Sequence, residues 1–503
     1  VSSSWLPAAR LEQRLDAGFY ADEYLKNEDA MLASGVPMRT VGEVSAKCNC
    51  GATPKKVSYG RTGTLLVRGA DIRASGLQVD QIRRAEGLDI DPDSNVAALP
   101  GDLVYTMSGA SLGDAAVIPD LHREYSFTNT VVRARLKPGH DSGFVAAFFN
   151  CRHGRTNSTR HSSGGDRGHV MPNVFRRLLV PAPHPHAQAY VGSLGETAQR
   201  LKSWAMDCVR RLDDSYRPFA MVLAERRHHS RVSPLQIRER LDAGHYPHDV
   251  SQAVATSTSG PLARLDDITE AVFAGATLAR SEQGVPARQA TVANLDRVYL
   301  KGDFRTVRSP KSQRRRFRNG DLAIAAAAHS ATYIGRDVTY VMVNRPVFPS
   351  TEVLVVRPDA ELASGAWVWC VLRSAFGYRQ IQSCVRGITA HAYPDDLRDI
   401  VVPVPPPSVR ETFAEFDRQI QLGARMVSAA GALLDSSRML VEALIERKVT
   451  EAELIAAHRD PAADRALLSR LTDTGLDGDG DPVFPDLDAL AELLEEATSG
   501  ADT

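Results

Sequence analysis

Arg14-Leu15-Asp16-Ala17-Gly18-Phe19-Tyr20 returns as Arg240-Leu241-Asp242-Ala243-Gly244-His245-Tyr246, with six of the seven residues unchanged. Outward from this heptapeptide the echo continues in order. Gly51-Ala52-Thr53 returns as Gly275-Ala276-Thr277, and Gly101-Asp102-Leu103 as Gly320-Asp321-Leu322. His169-x-x-Pro172-x-x-Phe175-Arg176-x-Leu178-Leu179-Val180-Pro181-x-Pro183 returns as His391-x-x-Pro394-x-x-Leu397-Arg398-x-Ile400-Val401-Val402-Pro403-x-Pro405. Four matches in register are not coincidence. The period, about 220 residues, is far longer than that of a solenoid, so each copy is a domain.

Each copy has two parts. The first, roughly 14–183 and 240–405, carries short β-like runs broken by Gly, Pro and Asn. Thr64-Leu-Leu-Val67, Asp102-Leu-Val-Tyr105, Thr130-Val-Val-Arg133, Thr339-Tyr-Val-Met-Val343 and Glu352-Val-Leu-Val-Val356 are examples. The closing Val180-Pro181 and Val402-Pro403 runs read as last strands halted by proline. The second part is a long helix. Val191, Leu194, Ala198, Leu201, Ala205, Cys208 and Leu212 alternate at spacings of three and four, and Phe413, Phe416, Ile420, Gly423, Val427, Ala430 and Leu434 repeat them. That is the apolar seam of two helices packed as a coiled coil. Pro218 is expected to end the first helix near Ser215, while the second seam runs on through Val441 and Leu444.

The chain, 503 residues long, has room for two or three domains with cores of their own, and its 43% apolar and 24% charged content is ordinary for a globular protein. Cys48, Cys50, Cys151, Cys208, Cys370 and Cys384 lack metal-ligand spacing, and free thiols in a reducing cytoplasm are expected. Val1-Ser-Ser-Ser-Trp5 has neither the basic nor the apolar region of a signal peptide. The most apolar stretch, 322–328, is too short to span a bilayer, so no membrane association and a cytoplasmic location are expected. The net charge of −1 hides a division: residues 451–503 hold 14 acidic residues against three arginines. The remainder is therefore about ten charges positive, the balance of a polyanion-binding body with an acidic tail.

Together the heptapeptide, the spaced glycines Gly101, Gly109 and Gly113, the Arg176-x-x-x-Val180-Pro181-x-Pro183 run into a helix, and the two-copy layout resemble the specificity subunit of a type I restriction-modification system. The resemblance covers about residues 10–450 and leaves out the acidic tail. It implies a mixed α/β (α+β) fold, with two β-rich target-recognition domains joined by a pair of long antiparallel coiled-coil helices in an internal pseudo-two-fold repeat. The implied divisions are a first target-recognition domain at 1–183, a spacer helix at 184–230, a second domain at 231–405, a second spacer helix at 406–450, and an acidic tail with a short helix at 451–503. The implied ligand is double-stranded DNA, one half of a split site per domain. The implied partners are DNA adenine methyltransferase (modification) subunits on the helices, and restriction or translocase subunits that can join them. S-adenosylmethionine would belong to the methyltransferase, and no cofactor or metal to this chain.

Lys and Arg give affinity and register on phosphates, and base edges give sequence choice. In the first half the candidate contacts are Thr53, Lys55, Lys56, Arg61 and Arg68, then Ser108 and Ser111 in the glycine loop. A second segment, 152–169, reads as a flexible basic loop carrying Arg155, Arg160, His161 and Arg167. In the second half Lys311, Arg314, Arg315, Arg316 and Arg318 form the densest basic run, and Arg386, Thr389 and His391 occupy the counterpart of the first half's Gly-rich loop. Solvated loops and faces are the competing reading for all of these. After Leu322 the second half shows Ala-Ile-Ala-Ala-Ala-Ala-His329-Ser-Ala-Thr332, without the loop glycines that permit positive φ. This half is therefore expected to read bases by another route or to be partly degenerate.

Catalytic readings find little. Pro405-Pro406-Pro407-Ser408 lacks the amide and the aromatic of an adenine methyltransferase motif, and no phosphate-binding Gly-x-x-x-x-Gly-Lys loop or His-Glu-x-x-His box is present. Asp16 and Asp242 repeat, but each precedes a Tyr in a turn-like segment that suits a structural hydrogen bond. Asp477-Gly-Asp479-Gly-Asp481 departs from a calcium loop at Pro482 and Asp488, and reads as a linker before a short acidic helix at 487–497. Two readings other than a methylating complex stay open: a recognition subunit for a non-methylating defence nuclease, and a stand-alone nuclease.

Overall fold

The computed structural model describes residues 14, 16–54, 57–60, 62–87, 94–120, 124–163, 168–223, 246–257, 260–280, 286–302, 304–387, 389–476, 478 and 480–499. The chain forms two compact units. One comprises 1–202 with 427–503, and the other 203–426.

In the first unit a four-stranded sheet runs in the order Ala115–Val117, Leu103–Thr106, Val131–Leu136, Ser45–Cys50, with every neighbour antiparallel. A five-stranded sheet has the order Ser58–Gly60, Arg84–Glu86, Thr64–Val67, Tyr125–Phe127, Ala97–Ala98. Leu65, Val67, Val104, Tyr125, Phe127 and Val131 from both sheets share one buried core. All four residues of Thr64–Val67 are buried, which explains its continuous apolar run where a half-exposed strand would alternate. Helices Ser142–Asn150 and Arg152–Arg160 follow, then Pro172–Phe175, and strand Leu179–Pro181 pairs with Met38–Thr40.

The second unit repeats this plan. Its four-stranded sheet runs Thr269–Ala274, Val353–Pro358, Leu322–Ala325, Val338–Tyr340, and a smaller sheet runs Arg305–Arg308, Pro286–Ala290, Val347–Pro349. Helices Gly365–Arg373, Ala375–Cys384 and Pro394–Arg398 come next, and strand Val401–Pro403 pairs with Leu262–Arg264. Both closing strands end at the expected proline.

The shared plan is held by shared close contacts. A Cβ on Gly51 would lie 2.1 Å from the carbonyl oxygen of Phe127, and one on Gly275 2.2 Å from that of Pro349, so the repeated Gly-Ala-Thr marks backbone against backbone. The Asn157 side-chain amide donates to the carbonyl of Leu179 (3.1 Å), and that of Gln380 to the carbonyl of Val401 (2.8 Å). In each unit this ties the second helix to the closing strand.

Two long helices, Pro185–Tyr216 of 32 residues and Pro407–Ile445 of 39, pass through both units. The first ends one residue beyond Ser215 and gives way to a short 3-10 turn containing Pro218. Its seven seam residues are all buried. The second helix keeps Ala430, Val441 and Leu444 of its expected seam buried but departs from it at two places after Gly423: Met426 and Leu433 are buried, whereas Val427 and Leu434 are only half-buried. The interior stripe therefore steps back one residue there, through two successive intervals of three, which overwinds a heptad locally. Within the second unit the helices run in opposite directions. Tyr216 from the end of one and Phe413 from the start of the other both pack edge-on against Trp367, while a Cβ on Gly423 would meet Ala205 at 3.2 Å.

Beyond the second long helix the chain continues as Glu451–Arg459 and Pro461–Ser469, two helices within the segment expected as an acidic tail. They pack in the first unit, where the Tyr190 hydroxyl donates to Asp464 (2.7 Å) and Glu451 accepts from the backbone of His184 (3.1 Å). The acidic helix expected at 487–497 is found as Leu487–Ser499, with Leu490 buried. No helix among the described residues is long and apolar enough to cross a membrane.

Candidate nucleic-acid interface

Each unit is built around a buried aspartate. Asp102 accepts from the backbone of Leu99 (2.9 Å) and takes both prongs of Arg135 (2.8 and 2.9 Å), with Arg133 3.6 Å away. Asp321 accepts from the backbone of Arg318 (2.8 Å) and takes both prongs of Arg357 (2.7 and 2.8 Å). Burial pushes the Asp321 carboxyl up, against the pull of Arg357. The preceding glycines, Gly101 and Gly320, have φ of +84° and +91°, which is why the motif is Gly-Asp. The repeated Gly-Asp-Leu is thus a turn locked by a buried ion pair, and sequence comparison missed its arginine partners because the strands around them differ.

The glycine loop of the first unit comes directly after this turn. Gly109 and Gly113 take φ of +86° and +85°. Ser111 donates to the carbonyl of Gly69 (3.0 Å), and Arg155 braces the loop through Asp114 and the carbonyl of Leu112 (3.3 Å). The second unit does have a positive-φ glycine in the matching loop, Gly335 at +74°. The absence of loop glycines read after Leu322 is corrected by this residue, which lies further along because the second loop is longer.

The segment read as a flexible loop, 152–169, is also corrected: residues Arg152–Arg160 are helical. His153, Asn157 and Arg160 line its buried side. Arg160 pairs with Glu28 (3.0 Å) and lies 4.3 Å over the Phe19 ring, and His161 meets that ring edge-on at 5.2 Å. Phe19 belongs to the opening heptapeptide, where Asp16 accepts from the backbone of Phe19 (3.1 Å) and Tyr20 donates to the carbonyl of Arg14 (2.6 Å). Arg14 in turn donates to the carbonyl of Ser162 (3.0 Å). The heptapeptide therefore clasps the helix and steadies its C-terminal extension. Its second copy, Arg240 to His245 with Asp242, lies outside the described residues.

Beyond the helix each unit carries a single antiparallel β-bridge, a minimal ribbon. Ser163 and His169 exchange backbone hydrogen bonds (2.9 and 2.8 Å), and so do Arg386 and His391 (2.9 and 3.0 Å). On its other side each ribbon joins the loop after the aspartate turn, His169 bridging Ser108 and His391 pairing with Ala327. The next residues, Val170 and Ala392, are buried and donate to the carbonyls of Met107 and Ala326, both at 2.9 Å. One residue further, Met171 and Tyr393 are 49% and 46% exposed. Arg386 lies 4.5 Å over the Tyr393 ring and pairs with Asp396 (2.9 Å), and His391 stacks alongside that ring at 6.4 Å. Thr389 is exposed at the ribbon's tip.

The remaining candidates are spread over both units. Thr53 donates to Asn129 (2.8 Å) at the surface, and Arg68 makes a two-pronged pair with Asp71 (3.0 and 2.7 Å). With Ser111 they gather about the turn at 128–130, since Gly69 also donates to Thr130 (3.4 Å). Lys55, Lys56, Arg61 and Arg167 lie outside the described residues. In the second unit Phe317 is buried and anchors the basic run through its backbone bond to Val347 (2.9 Å). Lys311, Arg314, Arg315 and Arg316 stand exposed around it without an acidic partner among the described residues, while Arg318 pairs with Glu270 (2.8 Å). Among the described residues no group of three or more His, Cys, Asp or Glu is placed to hold a metal.

No family model matches the chain, and no curated protein matches it. Among the solved structures similar to it are the following three. The S subunit of a type I restriction-modification system from M. genitalium gives a TM-score of 0.43 at 12% identity, covering 83% of this chain and 97% of that one. The HsdS subunit from Thermoanaerobacter tengcongensis gives 0.28 at 14% identity, covering 82% and 97%. A structure described as the basis of complex assembly and conformational transition of the type I R-M system gives 0.28 at 15% identity, again covering 82% and 97%.

Proposed function

We propose that this chain is the sequence-specific DNA-recognition subunit of a type I restriction-modification complex. It binds a two-part duplex target, one part per unit, and carries adenine-N6 methyltransferase subunits, with restriction or translocase subunits able to join. The observation that carries this reading is a buried frame repeated beneath exposed tips that are not repeated. Asp102 with Arg135 matches Asp321 with Arg357, and Asn157 matches Gln380, whereas the places of Ser163 and Met171 are held by Arg386 and Tyr393 in the second copy. Two copies of one scaffold with different tips suit a protein that reads two different short sequences.

The exposed cations around Phe317 supply phosphate contact, and side chains at the loops and ribbons supply base contact. The long helices join the two readers and offer the docking faces for methyltransferase subunits. Gripping the duplex at two places leaves a partner enzyme free to turn an adenine out of the stack near each recognised sequence. The chain's own repeated aspartates, Asp102 and Asp321, are committed to buried pairs and leave the chemistry to that partner.

A methylome of the host by single-molecule sequencing, with and without this gene, tests the reading. Loss of a split N6-methyladenine motif on deletion is the expected result and reveals the target. An unchanged methylome rejects the methylation role.

A further inference from the structure

A surface that follows a phosphate backbone needs cations free of carboxylates and close to one another. In the second unit the small sheet builds more of such a surface than the basic run does alone. Strand Pro286–Ala290 lies between Arg305–Arg308 and Val347–Pro349. Its register sets Arg288 between Thr306 and Val347, and the Arg288 guanidinium donates to the Thr306 hydroxyl (3.0 Å). Side chains alternate along a strand, so Arg308 shares the face of Thr306 and Arg288. Val347 is also the residue whose carbonyl accepts from Phe317, and buried Arg357 donates to the carbonyl of Arg316 (3.0 Å). The turn carrying Arg314, Arg315 and Arg316 is thus fastened at the strand next to Arg288. Adjacent strands lie only ~4.8 Å apart, which joins sheet and turn into one cationic rim. Arg308 and the turn arginines are exposed, Arg288 is half-buried, and none of them meets an acidic side chain among the described residues.

The matching place in the first unit is built differently. Phe127 and Pro349 correspond, since each faces the repeated glycine, and the paired strands then align Leu65 with Arg288, Arg84 with Thr306 and Glu86 with Arg308. Leu65 is 1% exposed and belongs to the core. The same three positions therefore carry two positive charges in the second unit and no net charge in the first. A half-buried guanidinium with only a hydroxyl for company is unfavourable unless an anion meets it. We propose that Arg288 and Arg308, with the turn arginines, form the phosphate-binding surface of the second unit, a sequence-independent hold on the duplex backbone that the first unit does not have at this place. The assignment rests on the DNA-recognition reading above and adds to it the sheet residues that the backbone meets.

Titration of a labelled random-sequence duplex with the full-length chain at several salt concentrations tests this. Arg288→Gln combined with Arg308→Gln is expected to make the slope of log affinity against log salt less steep by about 2, one contact for each charge removed. Arg288→Lys combined with Arg308→Lys keeps both charges and is expected to keep the slope, which separates loss of contact from damage to the fold. Sequence choice is not expected to move: in selection from a pool of random-sequence duplexes, the wild-type chain and the glutamine variant enrich the same two-part motif. A glutamine variant that keeps the wild-type slope, or that enriches an altered motif, overturns the assignment and leaves the recognition reading standing. A wild-type chain that enriches no motif overturns the recognition reading, and the slope alone then judges the rim.

Discussion

Asp321 and Arg357 are 1% and 8% exposed, so either charge alone would be stranded in the core. Arg357→Ala is expected to lower the unfolding free energy by ~3–5 kcal/mol in denaturant titration, whereas the paired change Asp321→Leu with Arg357→Met loses far less, because it removes both charges together. Asp417 makes a different prediction. It accepts from the Tyr340 hydroxyl (2.8 Å) and the backbone of Ala366 (2.6 Å), and burial pushes its carboxyl up from 3.8 to about 6. The folded chain therefore holds this proton more tightly than the unfolded chain. The stability it contributes is complete below the unfolded value and is lost as pH rises through about 6. Asp417→Asn keeps the acceptor and removes the titration. Relative to that variant, wild-type stability is expected to fall by roughly 2 kcal/mol between pH 4 and 7, read by urea titration at each pH. At this scale the sequence was partly legible. Asp16 has the structural hydrogen bond its turn suggested, but Arg135 and Arg357 were hidden in strands whose neighbours had changed.

Among elements, strands and long helices were legible because their periodicity is apolar, and Thr64–Val67 was placed to the residue. Helix Arg152–Arg160 was not. Its buried side is made of His153, Asn157 and Arg160, which meet Asn27, the carbonyl of Leu179 and Glu28, and no apolar stripe announces it. The seam of the second long helix was legible except at Val427 and Leu434, just beyond Gly423. A Cβ there would lie 2.6 Å from the Tyr299 hydroxyl, which itself donates to the carbonyl of Ile420 (3.0 Å), and 3.2 Å from Ala205. Gly423→Leu is therefore expected to destabilise the chain by ~1–3 kcal/mol or more through overpacking. Gly431 sits in the same helix with nothing within 4 Å of its would-be Cβ, so Gly431→Ala is expected to stabilise by ~1 kcal/mol from helix propensity alone. Opposite signs in thermal or denaturant melts check the pair together.

For the whole molecule, Arg314→Ala, Arg315→Ala and Arg316→Ala combined are expected to weaken duplex binding and to make the slope of log affinity against log salt less steep by about 2–3. Titration of a labelled duplex at several salt concentrations reads it, and an unchanged slope removes that run from the interface. Self-comparison of one sequence finds what two copies share. It therefore exposed the frame and concealed what differs between the copies. The copies differ in one further respect. Tyr190, early in the first long helix, is 3% exposed because the segment after residue 450 covers it, whereas Thr412, at the matching place in the second, is exposed. A molecule whose halves are near-duplicates would count as a dimer of itself, with every surface available twice. Here the appended helices cancel one of a pair of otherwise interchangeable positions, so anything that recognises the beginning of a long helix meets that feature bare once per chain.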